Sequence, residues 1–209
     1  MSRSTRERLW SLGPVLLLAA SAGMALHPVY GTRSTVPVVV VAAIAPVLLV
    51  VAERAAGPRR VPLWRSLLVS VAALILTGCA TLYRADALAG VLPTLAGLRR
   101  MADDLVDAPH RILTTVLPVS GEGTPLVLAH ACVWLAAYVG AELALRTGTV
   151  LLPALPALAV FGLALPLGAA GPGSAAVPAV GFAGAAGALV VLRAAAPAAR
   201  GPRSRWACR

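Results

Sequence analysis

Six apolar runs, three on each side of one long polar stretch, make up most of this chain. The runs are residues 10–26, 36–52 and 67–83, then 125–145, 150–170 and 175–192, and the polar stretch between the two triplets is Arg84 to Gly123. A helix rises about 1.5 Å per residue, so a run of 17 covers about 25 Å. That crosses a hydrocarbon core of about 30 Å once flanking Arg and Trp side chains reach for the interface. The pattern predicts one all-α domain over residues 1–209, a polytopic integral membrane protein of about six transmembrane helices. An extracytoplasmic amphipathic segment, 84–123, lies between the third and fourth.

Within that segment the spacing predicts a helix over Pro93 to Val106. Leu95, Leu98, Met101, Ala102, Leu105 and Val106 share one side, and Arg100, Asp103, Asp104 and Asp107 fall on the other. Arg99 to Asp103 and Arg100 to Asp104 are spaced for i,i+4 ion pairs, in the less favoured order and worth about 0.2–0.5 kcal/mol each. Pro109 is expected to end the helix, and a second short apolar piece, Ile112 to Leu117, stops at Pro118. A helix of this kind between two spans lies along the outer membrane surface, its apolar face in the headgroup boundary or against the bundle. Its charged side, Arg99, Arg100, Asp103, Asp104 and Asp107, is the candidate docking surface for a partner, set against a plain solvated loop.

Charge sets the orientation. All 18 basic residues are Arg, which with the abundance of Ala, Gly and Pro points to a GC-rich bacterial genome. Thirteen arginines fall on the side that holds Met1 to Arg8, the 53–65 loop, Arg146 and the tail after Leu192. Glu7, Glu53 and Glu142 share that side, so the whole net charge of +10 lies there. The other side balances Arg33, Arg84, Arg99, Arg100 and Arg111 against Asp86, Asp103, Asp104, Asp107 and Glu122. Positive loops stay inside, so the reading is a bacterial cell (inner) membrane protein with both termini cytoplasmic. With 59% hydrophobic and 12% charged residues and a mean hydropathy of +0.85, the chain cannot be a soluble domain, and its basic excess is orientation signal rather than a nucleic-acid surface.

Candidate chemistry is sparse. In the fourth run His130, Trp134, Tyr138 and Glu142 recur every four residues, a polar and aromatic row that must face protein. An ionisable pair inside a span is a site hypothesis by default, here part of a proton or ion path. Against this, Glu142 lies one turn from the inner end, where it can pair with Arg146, and a lone His usually bonds a neighbour. The structural role is the stronger reading. A nucleophilic site has one conceivable set, Cys79, His110 and Asp107, and nothing in the sequence brings them together. Cys79, Cys132 and Cys208 form no CxxC pair, so neither a disulfide framework nor a metal site is indicated, and no cofactor is expected.

Two targeting motifs are set aside. Leu76-Thr77-Gly78-Cys79 matches a lipobox but follows two earlier spans, and Ala20-Ser21-Ala22 fits a cleavage site in a first run as long as the later ones, which favours an uncleaved helix. Pro153, Pro156 and Pro166 could break the fifth run. Ala179, Ala183 and Gly187 in the sixth are spaced for close helix packing.

The segment Met101 to Gly168 resembles the N-terminal membrane domain of bacterial, actinobacterial-type transglutaminase-like membrane proteins. The resemblance lies in Asp104-Leu105-Val106-Asp107, Thr114-Thr115-Val116-Leu117-Pro118, and a Trp134-containing helix ending Glu142-Leu143-Ala144-Leu145-Arg146-Thr147. The Leu151-Leu152-Pro153-Ala154-Leu155-Pro156 run follows. In that family a further helix and an extracytoplasmic catalytic domain come after the membrane domain; residues 1–209 correspond to neither, so no catalytic residue carries over. The resemblance implies a non-enzymatic membrane module that contacts an extracytoplasmic transglutaminase-like domain or another membrane protein. A small transporter, favoured by the prolines of the fifth run and the row from His130 to Glu142, is the competing expectation.

Overall fold

The computed structural model describes residues 9–30, 32–55, 62–88, 90, 92–114, 126–168 and 176–198. Regular structure among them is helical throughout, apart from one isolated bridge between Leu88 and Leu92. The helices are α1 (Leu12–Met24), α2 (Thr32–Ala55), α3 (Leu63–Leu82), α4 (Leu95–Thr114), α5 (Leu126–Arg146), α6 (Leu155–Gly168) and α7 (Ala176–Ala198). A helical turn, His27–Tyr30, joins α1 to α2, and a 3-10 turn, Leu152–Ala154, leads into α6. Among the described residues, four helices are long and apolar enough to cross a membrane: Thr35–Ala55, Leu63–Leu82, Leu126–Arg146 and Ala176–Ala195. Leu12–Met24 and Leu152–Leu167 are apolar but shorter.

α2, α3 and α7 extend beyond their apolar runs, whereas α1 and α6 fall inside theirs. A helix does not stop where hydrophobicity does, because an Arg at its end can lay its stem along the apolar surface and hold its charge outside. Prolines act by position. Pro153 is the second residue of the 3-10 turn and Pro156 falls in the first turn of α6, where the missing N–H would have had no partner anyway. They therefore start the helix instead of breaking the run.

Side-chain contacts set the directions. Along α3, Ser66, Ser70 and Thr77 meet Tyr138, Trp134 and His130 of α5 in reverse order, so the two helices are antiparallel. Arg54 at the end of α2 reaches Glu142 near the end of α5, so those two are parallel. On α1, Val15 lies at Gly140 and Gly23 at Val133, again antiparallel to α5. The turn before α6 sits at Gly140 through Pro153, while Ala164 of α6 packs with Leu26, Tyr30 and Leu126 at the opposite end. Arg193 of α7 donates to the Ala144 and Thr147 carbonyls at 3.2 and 2.7 Å, and Gly181 lies at Ser21. The apolar helices thus alternate in direction, and Glu53, Arg54, Arg65, Arg146 and Arg193 gather at one end. The other end carries Arg33, Arg84 and the charged residues of α4.

α5 is the centre of the bundle. It touches α1, α2, α3, α4 and α6 and is the most buried of the long helices, while α3 and α7 lie outermost. Leu18, Val39, Val50, Val133, Trp134 and Leu189 are among the buried side chains that α1, α2, α5 and α7 bring to the core. Outward, Val177 is 80% exposed, and Leu63, Trp64, Leu67 and Leu68 are each more than half exposed. Apolar faces this wide suit a bilayer and not water.

Two expectations about the helices are corrected. The packing side of α7 is Pro178, Phe182, Ala185 and Leu189, whereas Ala183 and Gly187 are exposed. That side packs mainly on α1, with Phe182 also stacked on Phe161 of α6 at 4.6 Å between centroids, contacts that a count of small residues cannot anticipate. And Pro109 does not end α4, which continues to Thr114. Proline removes one backbone hydrogen bond and crowds one carbonyl, and on an exposed stretch water can take that carbonyl. Ile112 to Thr114 therefore belong to α4, and Thr115 to Leu117 lie outside the described residues, as do Arg3, Arg6, Arg8, Arg59, Arg60, Glu122 and the tail from Arg200.

Candidate functional site

The row His130, Trp134, Tyr138 and Glu142 points inward along its whole length, and every member has a partner on a neighbouring helix. The relevant feature of α3 is its hydroxyls at positions 66, 70 and 77, which recur four and seven residues apart and so share one face. Thr77 gives its proton to the Ala73 carbonyl at 2.8 Å, so its oxygen accepts from His130 Nε2 at 3.3 Å. Trp134 Nε1 donates to Ser70 Oγ at 3.1 Å. Ser66 donates to Glu53 at 2.6 Å, which leaves Ser66 Oγ to accept from the Tyr138 hydroxyl at 2.8 Å.

At the end of the row Glu142 Oε2 accepts from Arg54 Nη2 at 3.3 Å and from Arg146 Nε. His130 is fully buried and Glu142 is 7% exposed. A charge that far out of water is retained only when it is paired, and two guanidiniums from different helices supply the pairing. The ladder ties α3 to α5 by three hydrogen bonds, and Glu142 joins the ends of α2 and α5. It is not a continuous relay: between His130 and Tyr138 stands the Trp134 indole, a donor with no acceptor atom. Reconstituted protein is accordingly expected to show no proton-coupled flux, and Glu142→Gln to leave that baseline unchanged. A pH-driven flux abolished by Glu142→Gln would reverse the assignment.

At the far end, α4 is fastened by polar contacts from the loop before it. Tyr83, the residue after α3, donates its hydroxyl to Asp104 at 2.6 Å. Asp86 takes Arg100 at 2.6 Å, which pushes the guanidinium above its ordinary value through that hydrogen bond and charge. The Asp86 carbonyl accepts from Thr94 at 2.7 Å, and Thr94 Oγ1 caps the helix start at Gly97 N, 3.0 Å away. The i,i+4 pairing expected within the helix is replaced for Arg100 and Asp104 by these contacts to the loop. A fixed acceptor at Asp86 costs less side-chain entropy than two mobile ends meeting on a solvated face. Arg111 and Asp107 form a long i,i+4 pair at 3.8 Å. Of the docking candidates Arg99, Arg100, Asp103 and Asp107 are exposed, and Asp104 is half-buried against Tyr83.

Cys79 is buried beside Tyr83, Met101 and Val127, whereas Asp107 and His110 lie on the exposed side of α4. The three do not form a site. Among the described residues no group of three His, Cys, Asp or Glu side chains is placed to hold a metal ion. No family model, curated protein or solved structure matches the chain.

Sequence reasoning missed the partners Ser66, Ser70 and Thr77, although their helical spacing inside an apolar run was a legible sign. It also missed Arg54 as the second partner of Glu142. Nothing in the sequence marks Arg193 as the side chain that closes the end of α5.

Proposed function

We propose that this chain is a non-enzymatic membrane module, six crossings of a bacterial cell membrane with both termini cytoplasmic, that holds or contacts an extracytoplasmic partner through residues 84–123. On the resemblance given above, the partner class is a transglutaminase-like domain. The observation that carries the reading is α4: pinned by Tyr83, Asp86 and Thr94, it presents Arg99, Arg100, Asp103 and Asp107 to solvent at one end of the bundle. A fixed helix loses little entropy on binding.

Alternation of direction supports six crossings. α1 and α6 are short, 13 and 14 residues, or about 20 Å each. Yet each runs from the Arg-rich end toward the other, α1 is prolonged by His27–Tyr30, and α6 is preceded by the 3-10 turn. Both pack against α5, and a short helix flanked by protein has less lipid to match.

The test is photocrosslinking in cells with benzoylphenylalanine at Asp103, with Leu135 on the lipid-facing side as the control. A crosslink from Asp103 to an extracytoplasmic protein is the expected result. Its absence, with transport by the purified protein, would leave the transporter. Sidedness is read separately. Green fluorescent protein fused after Arg209 is expected to glow, and alkaline phosphatase at that place to stay inactive. The reverse would mean an odd number of crossings.

A further inference from the structure

We infer that the apolar stripe of α4, with the Leu88–Leu92 hairpin before it, is a wedge seated in the headgroup boundary of the membrane, so that only the charged face remains for a protein partner. This rests on the orientation proposed above and narrows the surface open to the partner.

At 100° per residue α4 divides into three stripes. Gly97, Met101 and Ala108 are buried and make the bundle contact. On one flank lie Leu95, Leu105 and Val106, which are exposed, Val106 to 78%. On the other flank lie Arg99, Asp103 and Asp107. Each flank is centred roughly a third of a turn from the bundle stripe. A helix lying on top of a bundle meets water on both flanks and has no use for an apolar one. One at the rim, with lipid to one side and water to the other, needs this division. The bundle contact therefore does not consume the apolar face.

Two further observations fix the lipid as occupant. Tyr83 is the first residue beyond α3, and its bond to Asp104 holds α4 at the level where α3 ends. That level is where the apolar run of α3 gives way to the polar stretch. The loop between them turns on Gly90, whose φ of 72° favours glycine, and is closed by Leu88 N to Leu92 O at 2.9 Å and Leu92 N to Leu88 O at 3.0 Å. Its side chains Leu88 and Leu92 are 64% and 58% exposed. A five-residue turn meant for water carries polar residues at these places. Here the exposed leucines precede the exposed Leu95 in the chain, and the outer surfaces of the adjoining bundle are apolar as well.

The experiment uses the full chain with Cys79, Cys132 and Cys208 changed to Ala, carrying one nitroxide at Leu92→Cys, Val106→Cys or Asp103→Cys. The protein is reconstituted in phosphatidylethanolamine and phosphatidylglycerol vesicles. Labels at 92 and 106 are expected to relax more with oxygen than with a water-soluble nickel chelate, and the label at 103 to show the reverse ratio. Nickel-dominated relaxation at all three positions would overturn the wedge. So would shielding of 92 and 106 from both reagents, which means a second copy or another protein covers them. The fusion test above separates the premises: an active phosphatase after Arg209 removes the proposed sidedness and leaves the nitroxide ratios to decide lipid contact.

Discussion

Replacing Trp134 by alanine is expected to cost about 3 kcal/mol, read as a lower midpoint of detergent-induced unfolding from bicelles. The indole is 1% exposed, lies 6.0 Å from the His130 ring and bonds Ser70. In water such a truncation loses both transfer energy and packing. In a bilayer the separated helices are already in an apolar solvent, so the transfer part shrinks and the loss is mainly that of contacts across the vacated space. Truncation also strips Ser70 of its donor inside the bundle. Trp134→Phe separates the two effects. It keeps most of the volume and drops the N–H, so it should lose about 1 kcal/mol. If Trp134→Ala costs no more than Trp134→Phe, α5 is not the packed centre of the bundle.

Gly140→Leu is expected to be at least as damaging, at about 3 kcal/mol, or to prevent assembly outright. A Cβ at this position would lie 2.9 Å from Val15 Cγ1 and 3.0 Å from the Pro153 carbonyl oxygen. The first neighbour is a short branched side chain on α1. The second is backbone in the turn before α6, stiffened by its own ring, so neither can withdraw. Gly184 and Gly162 are the controls, since nothing lies within 4 Å of a Cβ at either, and leucine there should change stability by less than about 0.5 kcal/mol. Equal loss at 140 and 184 would mean that α1, α5 and α6 do not converge as described.

Much of the frame was legible along the chain because it depends on totals. Run length against bilayer thickness, the scarcity of charge within the runs, where Glu142 alone is formally charged, and the placement of Arg need no knowledge of which helix touches which. The row from His130 to Glu142 was legible for a related reason: four polar residues at one helical spacing must face protein whatever the protein is. Its complement was only half legible. Ser66, Ser70 and Thr77 share a face of α3, but hydroxyls in a membrane helix can bond their own carbonyls, as Thr77 and Thr81 do, so their presence does not announce a partner helix.

Pairing and face selection lay beyond the sequence. Arg54 or Arg65 could each have met Glu142, and direction and proximity of α2 and α5 brought Arg54 there. The last helix offered a stripe of small residues and a stripe with Phe182, and packing on α1, with Phe182 against Phe161, took the second. On α4 the periodicity separated apolar from charged residues correctly, yet the bundle took the boundary between them, Gly97, Met101 and Ala108. Composition and periodicity determine that helices form and which chemistry each side carries, since these are properties of a helix and its solvent. Which side meets which neighbour is a competition among faces of similar hydrophobicity, and only shape complementarity in the assembled bundle resolves it.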